Sequence, residues 1–76
     1  MNKYIISFKF SGSTLYVWKP RWCRFWYRGR YRKRLDFRLT QNPQWANKFV
    51  KRRNIRFIMN DIALRYKKKP IMTRIN

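Results

Sequence analysis

Tyr31-Arg32-Lys33-Arg34-Leu35-Asp36-Phe37-Arg38-Leu39 alternates residue by residue. Tyr31, Leu35, Phe37 and Leu39 share one side with Lys33, while Arg32, Arg34, Asp36 and Arg38 share the other. A period of two is that of a strand with one packed face. The apolar side predicts burial, and the arginines predict a ladder pointing away from the core. Side chains two residues apart on one face lie about 6.5–7 Å apart along a strand, close to the phosphate spacing of a nucleic-acid strand.

Reading back towards the N-terminus, the basic and aromatic character intensifies. From Trp18 to Arg38 the chain holds nine Lys/Arg and seven aromatic residues, with Asp36 as the one acid. Guanidinium groups bind phosphates and flat aromatic faces stack on bases. Arg21, Arg24, Arg28, Arg30, Arg32, Lys33, Arg34 and Arg38 are therefore candidate phosphate ligands. Trp22, Trp26, Tyr27 and Tyr31 are candidates to stack on bases or to wedge into a groove. The bland alternative is that the aromatics are core and the arginines snorkel around them. For some of the aromatics that alternative must hold, because a core this small needs them.

The remaining N-terminal residues read as a hairpin. Tyr4, Ile6, Phe8 and Phe10 fall on one face of a strand over residues 3–10, Ser11-Gly12-Ser13 is a turn signal, and Thr14 to Lys19 sets Leu15 and Val17 against Tyr16 and Trp18. Pro20 is expected to end regular pairing or place it on an edge. Residues 21–27 are compatible with either helix or strand. Their aromatic content and Pro20 favour strand, which puts Trp18, Trp22 and Trp26 on one face. Arg28-Gly29-Arg30 is the expected turn into the strand over residues 31–39.

The C-terminal half changes period. Asn42 is a candidate N-cap with Pro43 at the first helical position, and Trp45, Ala46, Phe49 and Val50 share one helical face. After a break near Arg53-Asn54, Ile55, Ile58, Met59, Ile62, Ala63 and Tyr66 follow a helical period, with Asp61 and Arg65 as an i,i+4 pair. Lys67-Lys68-Lys69 suits a helix C-terminus and Pro70 stops it. Ile71, Thr73 and Ile75 suit a last edge strand. The fold class expected is α+β, a single basic domain over 1–76. A curved antiparallel sheet comes from the N-terminal half, and one or two helices from residues 43–69 pack on one face of it.

A second basic cluster comprises Lys48, Lys51, Arg52, Arg53 and Arg56 at the junction of the two expected helical segments. Free amides at a helix N-terminus would add an anion site there. A solvated helix face is the competing reading.

Composition bounds the function. The chain of 76 residues carries 21 Lys+Arg against two acids, for a formal charge of +19. Such a charge speaks to partners rather than to fold. Nucleic acid, DNA or RNA, is the first expectation. An acidic groove on a larger protein, one that itself handles nucleic acid, is the alternative, in which this chain acts as an inhibitor or adaptor. An anionic membrane surface comes third, because the strand-rich half does not suit an interfacial helix. Without Glu or His, and with its two Asp in separate elements, the chain lacks the carboxylate and imidazole groups that hydrolytic enzymes use. No enzyme, cofactor or metal site is expected. Cys23 has no histidine to form a catalytic pair and no partner for a disulfide, so it reads as a free thiol in a reducing, cytoplasmic compartment. No apolar run reaches the roughly 20 residues that span a membrane. Zinc-finger spacing, the glycine-aromatic signature of RNA-recognition motifs and the KH-type loop are all missing. The small size and the Lys/Asn/Ile-rich ends suit a viral accessory protein.

Overall fold

The computed structural model describes residues 2–75. Four antiparallel strands, β1 (Tyr4–Phe10), β2 (Ser13–Tyr27), β3 (Arg30–Thr40) and β4 (Ile71–Arg74), form one sheet in the order β3-β2-β1-β4. A single helix, α1 (Arg52–Arg65), packs on one face. The α+β expectation holds, and of the one or two C-terminal helices expected, one forms.

Both hairpins turn on two residues with positive φ, Ser11-Gly12 (52° and 80°) and Arg28-Gly29 (50° and 76°). Positive φ at both central positions is the geometry whose twist matches that of antiparallel strands, and glycine meets it without a Cβ penalty. β4 lies along the edge of β1 that β2 does not occupy, pairing Ile5 with Thr73.

β2 is one continuous strand of 15 residues, and Pro20 does not end it. Instead the register slips between Trp18 and Arg21: Trp18 pairs with Arg38, Arg21 with Asp36. Lys19 and Pro20 together oppose Phe37, and Lys19 has φ 48°. This is a β-bulge, and since β1 pairs with β2 only over Ser13–Tyr16, Pro20 also has β3 alone beside it, the edge placement expected; in both respects the missing proline N–H costs no ladder bond. Because one residue is inserted, the two sides of β2 exchange faces at the bulge. Trp18 therefore shares a face with Arg38, whereas Trp22, paired with the buried Leu35, shares the face that α1 covers. The expectation of a common face for Trp18, Trp22 and Trp26 is corrected accordingly.

The core lies between the sheet and α1 and comprises Ile6, Phe8, Val17, Leu35, Phe49, Ile55, Ile58 and Ile62. Ile58 and Ile62 are wholly inaccessible; burial of such a side chain contributes about 1.5–3 kcal/mol. Tyr4, Leu15, Phe37, Leu39, Met59 and Tyr66 pack around this centre. Ala63, expected on the core stripe, is exposed. The Asp61–Arg65 pair forms at 3.1 Å, and Lys67 at φ 53° turns the chain out of the helix before Pro70.

The segment between β3 and α1 departs most from expectation. Asn42 does cap a helical start, accepting a hydrogen bond from the Gln44 amide, but only the single 3₁₀ turn Pro43–Trp45 follows. Residues 46–50 are extended, not helical. The Asn47 amide donates to the Val17 carbonyl, and Phe49 exchanges both backbone hydrogen bonds with Tyr4. These long-range bonds replace the intrahelical ones and deliver Phe49 to the core, so the chain passes from the β3 side of the sheet to β1 before α1 begins.

Candidate nucleic-acid interface

The β2–β3 hairpin outruns the core. Leu35 is its last buried residue, and every residue from Arg24 to Arg34 is exposed. From the Trp22–Leu35 pair to the Tyr27–Arg30 pair is five residues per strand, an arm of about 17 Å at the rise of an antiparallel strand. Residues 23–34 contain six Lys/Arg, four aromatics and no acid.

Cross-strand register assigns the arm's side chains to its two faces. Trp22, Arg24 and Trp26 with Tyr31, Lys33 and Leu35 lie on the α1 side. Cys23, Phe25 and Tyr27 with Arg30, Arg32 and Arg34 lie on the other, continued by Arg21, Asp36 and Arg38 beyond the arm. A two-stranded ribbon twists strongly, and Phe25, Arg32 and Arg34 come round to flank Phe57 and Leu64 of α1.

The expected ladder of Arg32, Arg34 and Arg38 is exposed, opposite Leu35, Phe37 and Leu39, which face the core. Asp36 accepts a hydrogen bond from Nε of Arg34 at 2.8 Å. Both partners are near half exposed, so the pair contributes at most about 1 kcal/mol and leaves the face strongly positive. Lys19, Arg21, Arg34, Arg38 and, from α1, Arg65 line one shallow hollow with Asp36.

The aromatics divide. Trp26 and Tyr31, 62% and 74% exposed, meet edge to face with centroids 4.7 Å apart near the tip of the arm. Such a pair contributes about 0.5–1.5 kcal/mol beyond its buried area. Tyr27 is occupied differently: the Arg28 and Arg32 guanidinium carbons lie 5.2 and 5.5 Å from its ring centre. Trp22 is half exposed at the root of the arm and rests edge-on against Phe57, at 6.1 Å. Trp18 is half buried on the sheet face away from α1, packed against Trp45 at 5.3 Å rather than in the main core. Cys23 is a half-buried free thiol on the face opposite α1.

Two basic clusters far apart in sequence meet at the arm's root. Trp22, Arg24 and Lys33 of the hairpin and Lys51, Arg53 and Asn54 of the α1 N-terminus line one open cleft of about 650 Å³. Arg52 and Arg56, with Arg53 again, line an adjacent hollow. Among the described residues no carboxylate lines either hollow. The α1 N-terminus has no side-chain cap on Lys51 and no acid in its first turn, but carries Arg52 and Arg53. Cations at that end oppose the helix dipole by a few tenths to about 1 kcal/mol each, so the arrangement is adverse by itself. Sequence periodicity did not reveal the roles of Phe57, Trp45 and Asn54. Phe57 and Asn54 lie off the apolar stripes, Trp45 belongs to a helical stripe that does not form, and their partners Trp22, the arm and Trp18 are remote in sequence.

All 21 Lys and Arg side chains are exposed, and both acids are engaged, Asp36 by Arg34 and Asp61 by Arg65. Among the described residues no helix is long and apolar enough to cross a membrane. No protein-family model, curated protein or solved structure matches the chain.

Proposed function

We propose that this chain is a non-catalytic nucleic-acid-binding protein whose main contact surface is the β2–β3 arm. The observation that carries the reading is the arm itself, a ribbon with six cations, four aromatics and no acid, held clear of the core. A surface serving only solubility gains nothing from exposing Trp26 and Tyr31 among arginines. Exposed aromatics beside guanidinium groups suit bases and phosphates together. The cleft at the arm's root, with Arg24, Lys33, Lys51 and Arg53, supplies further phosphate contacts. A cytoplasmic setting and a viral accessory role accompany the proposal, supported by the lone thiol and by the composition of the chain's ends.

The test is binding of the purified protein to nucleic acid across a salt series. Contact with about six phosphates gives a log–log salt slope of about −5 on duplex. A flat affinity between low and moderate salt, or no binding at micromolar protein, removes the proposal. Capture by an acidic protein in place of nucleic acid would favour the inhibitor or adaptor reading, for which Trp and Arg are equally suited.

A further inference from the structure

We infer that the β2–β3 arm enters the major groove of duplex DNA, with its two faces turned to the two flanking phosphate walls. The inference rests on the nucleic-acid reading above and narrows it to one form of the polymer. It begins with how the charge is distributed around the ribbon. Here Arg24 and Lys33, with Trp26 and Tyr31, lie on the α1 side, while Arg30, Arg32 and Arg34, with Tyr27, lie on the opposite side by register, the twist carrying Arg32 and Arg34 round to the margin of α1. An element with phosphates on both sides calls for that distribution.

Size points the same way. The major groove of B-form DNA, about 12 Å wide and 8.5 Å deep, admits a two-stranded ribbon, whereas the minor groove is about 6 Å wide. The major groove of A-form RNA is too deep and narrow for side chains to read. An arm of about 17 Å exceeds the groove depth, so its outer half enters while its root stays at the backbone. At that root Lys51 and Arg53 join Arg24 and Lys33 around the cleft, placed for a flanking phosphate.

The aromatics also suit a groove better than a stack. Tyr27 lies under the guanidinium groups of Arg28 and Arg32, and Trp26 meets Tyr31 edge to face. Exposed apolar edges near the tip match the thymine methyl groups displayed in the major groove.

The test compares the unaltered protein on duplex DNA and duplex RNA of one sequence at one salt concentration. Binding to DNA is expected to be tighter by at least about tenfold. Methyl green, a major-groove ligand, is expected to compete, and netropsin, a minor-groove ligand, is not. Two double variants then probe the faces. Arg24→Gln with Lys33→Gln, and Arg30→Gln with Arg32→Gln, are each expected to reduce the magnitude of the salt slope on duplex DNA by about 2. Equal affinity for duplex DNA and RNA, displacement by netropsin, or an effect from one face alone overturns the groove inference and leaves polyanion binding standing. Absence of salt-dependent binding to any nucleic acid overturns both. The DNA–RNA comparison needs no variant, so it decides even where a substitution perturbs folding.

Discussion

Trp18 and Trp22 lie four residues apart on β2 and sit on opposite faces of the sheet. A regular strand would put them on the same face. The extra residue at Lys19-Pro20 reverses the alternation, so that Val17 before the bulge and Trp22 after it both address α1. The bulge joins two strand halves whose packed faces are out of phase. It also leaves Trp18 free to pack on Trp45 on the other side.

Deleting Pro20 is therefore expected to be far more damaging than an ordinary loop change. With one-for-one pairing restored, either Val17 and Leu15 or Trp22 and its arm must face the wrong way. A loss of at least about 3 kcal/mol, within the range for disrupted packing, or of cooperative unfolding altogether, is expected in denaturant titrations followed by tryptophan fluorescence. A deletion variant as stable as the parent would show that the bulge does not set the register.

The two faces of the sheet should separate stability from binding. Phe8→Ala removes a ring that is 1% exposed and is expected to cost about 3–5 kcal/mol. Phe37→Ala, only partly buried, should cost less than Phe8→Ala. The triple change of Arg32, Arg34 and Arg38 to Gln touches no core residue, and its midpoint in urea should stay close to that of the parent. Its duplex salt slope should shrink in magnitude by about 3. Were the triple variant to unfold while binding by Phe8→Ala and Phe37→Ala protein stayed normal and stable, the faces would be assigned backwards.

Trp22 and Trp26 are expected to behave differently on truncation. Trp22 leans on Phe57 beside the core, so Trp22→Ala should cost both stability, by about 1–2 kcal/mol, and affinity. Trp26 meets Tyr31 on the free arm, so Trp26→Ala should lower nucleic-acid affinity and leave the melting temperature within about 1–2 °C. Thermal melts paired with binding isotherms distinguish the two. Unfolding by Trp26→Ala would mean that the arm is part of the cooperative core.

Lys51→Asp is expected to trade binding for stability. The α1 N-terminus has neither a capping side chain nor an acid in its first turn. An aspartate there supplies a cap, worth about 1 kcal/mol, and adds a favourable charge at the positive end of the helix dipole. The same change removes one cation from the cleft with Arg24, Lys33 and Arg53 and adds an anion to it. Higher denaturation midpoints with weaker duplex binding are the expected pair of results. If the variant is more stable and binds as tightly as the parent, the cleft takes no phosphate.

Local chemistry alone determined much of this protein. Alternation over Tyr4–Phe10 and Tyr31–Leu39, the glycines after Ser11 and Arg28, and the helical period from Ile55 to Tyr66 each report a property of consecutive residues, and each element is in place. The exposure of the arginine ladder followed from the same alternation, since a strand with one apolar face must turn the other outwards. Tertiary structure alone decided whatever depends on partners remote in sequence. Trp45, Ala46, Phe49 and Val50 have helical spacing, yet backbone bonds to Tyr4 and Val17 hold that stretch extended. The bulge at Lys19-Pro20 is set by which face of each strand half must meet α1, a demand no local period records. The meeting of Arg24 and Lys33 with Lys51 and Arg53 is likewise a product of packing. Four cations converge because the apolar stripe of α1 and the apolar face of the sheet bury each other, and that burial outweighs the repulsion it creates.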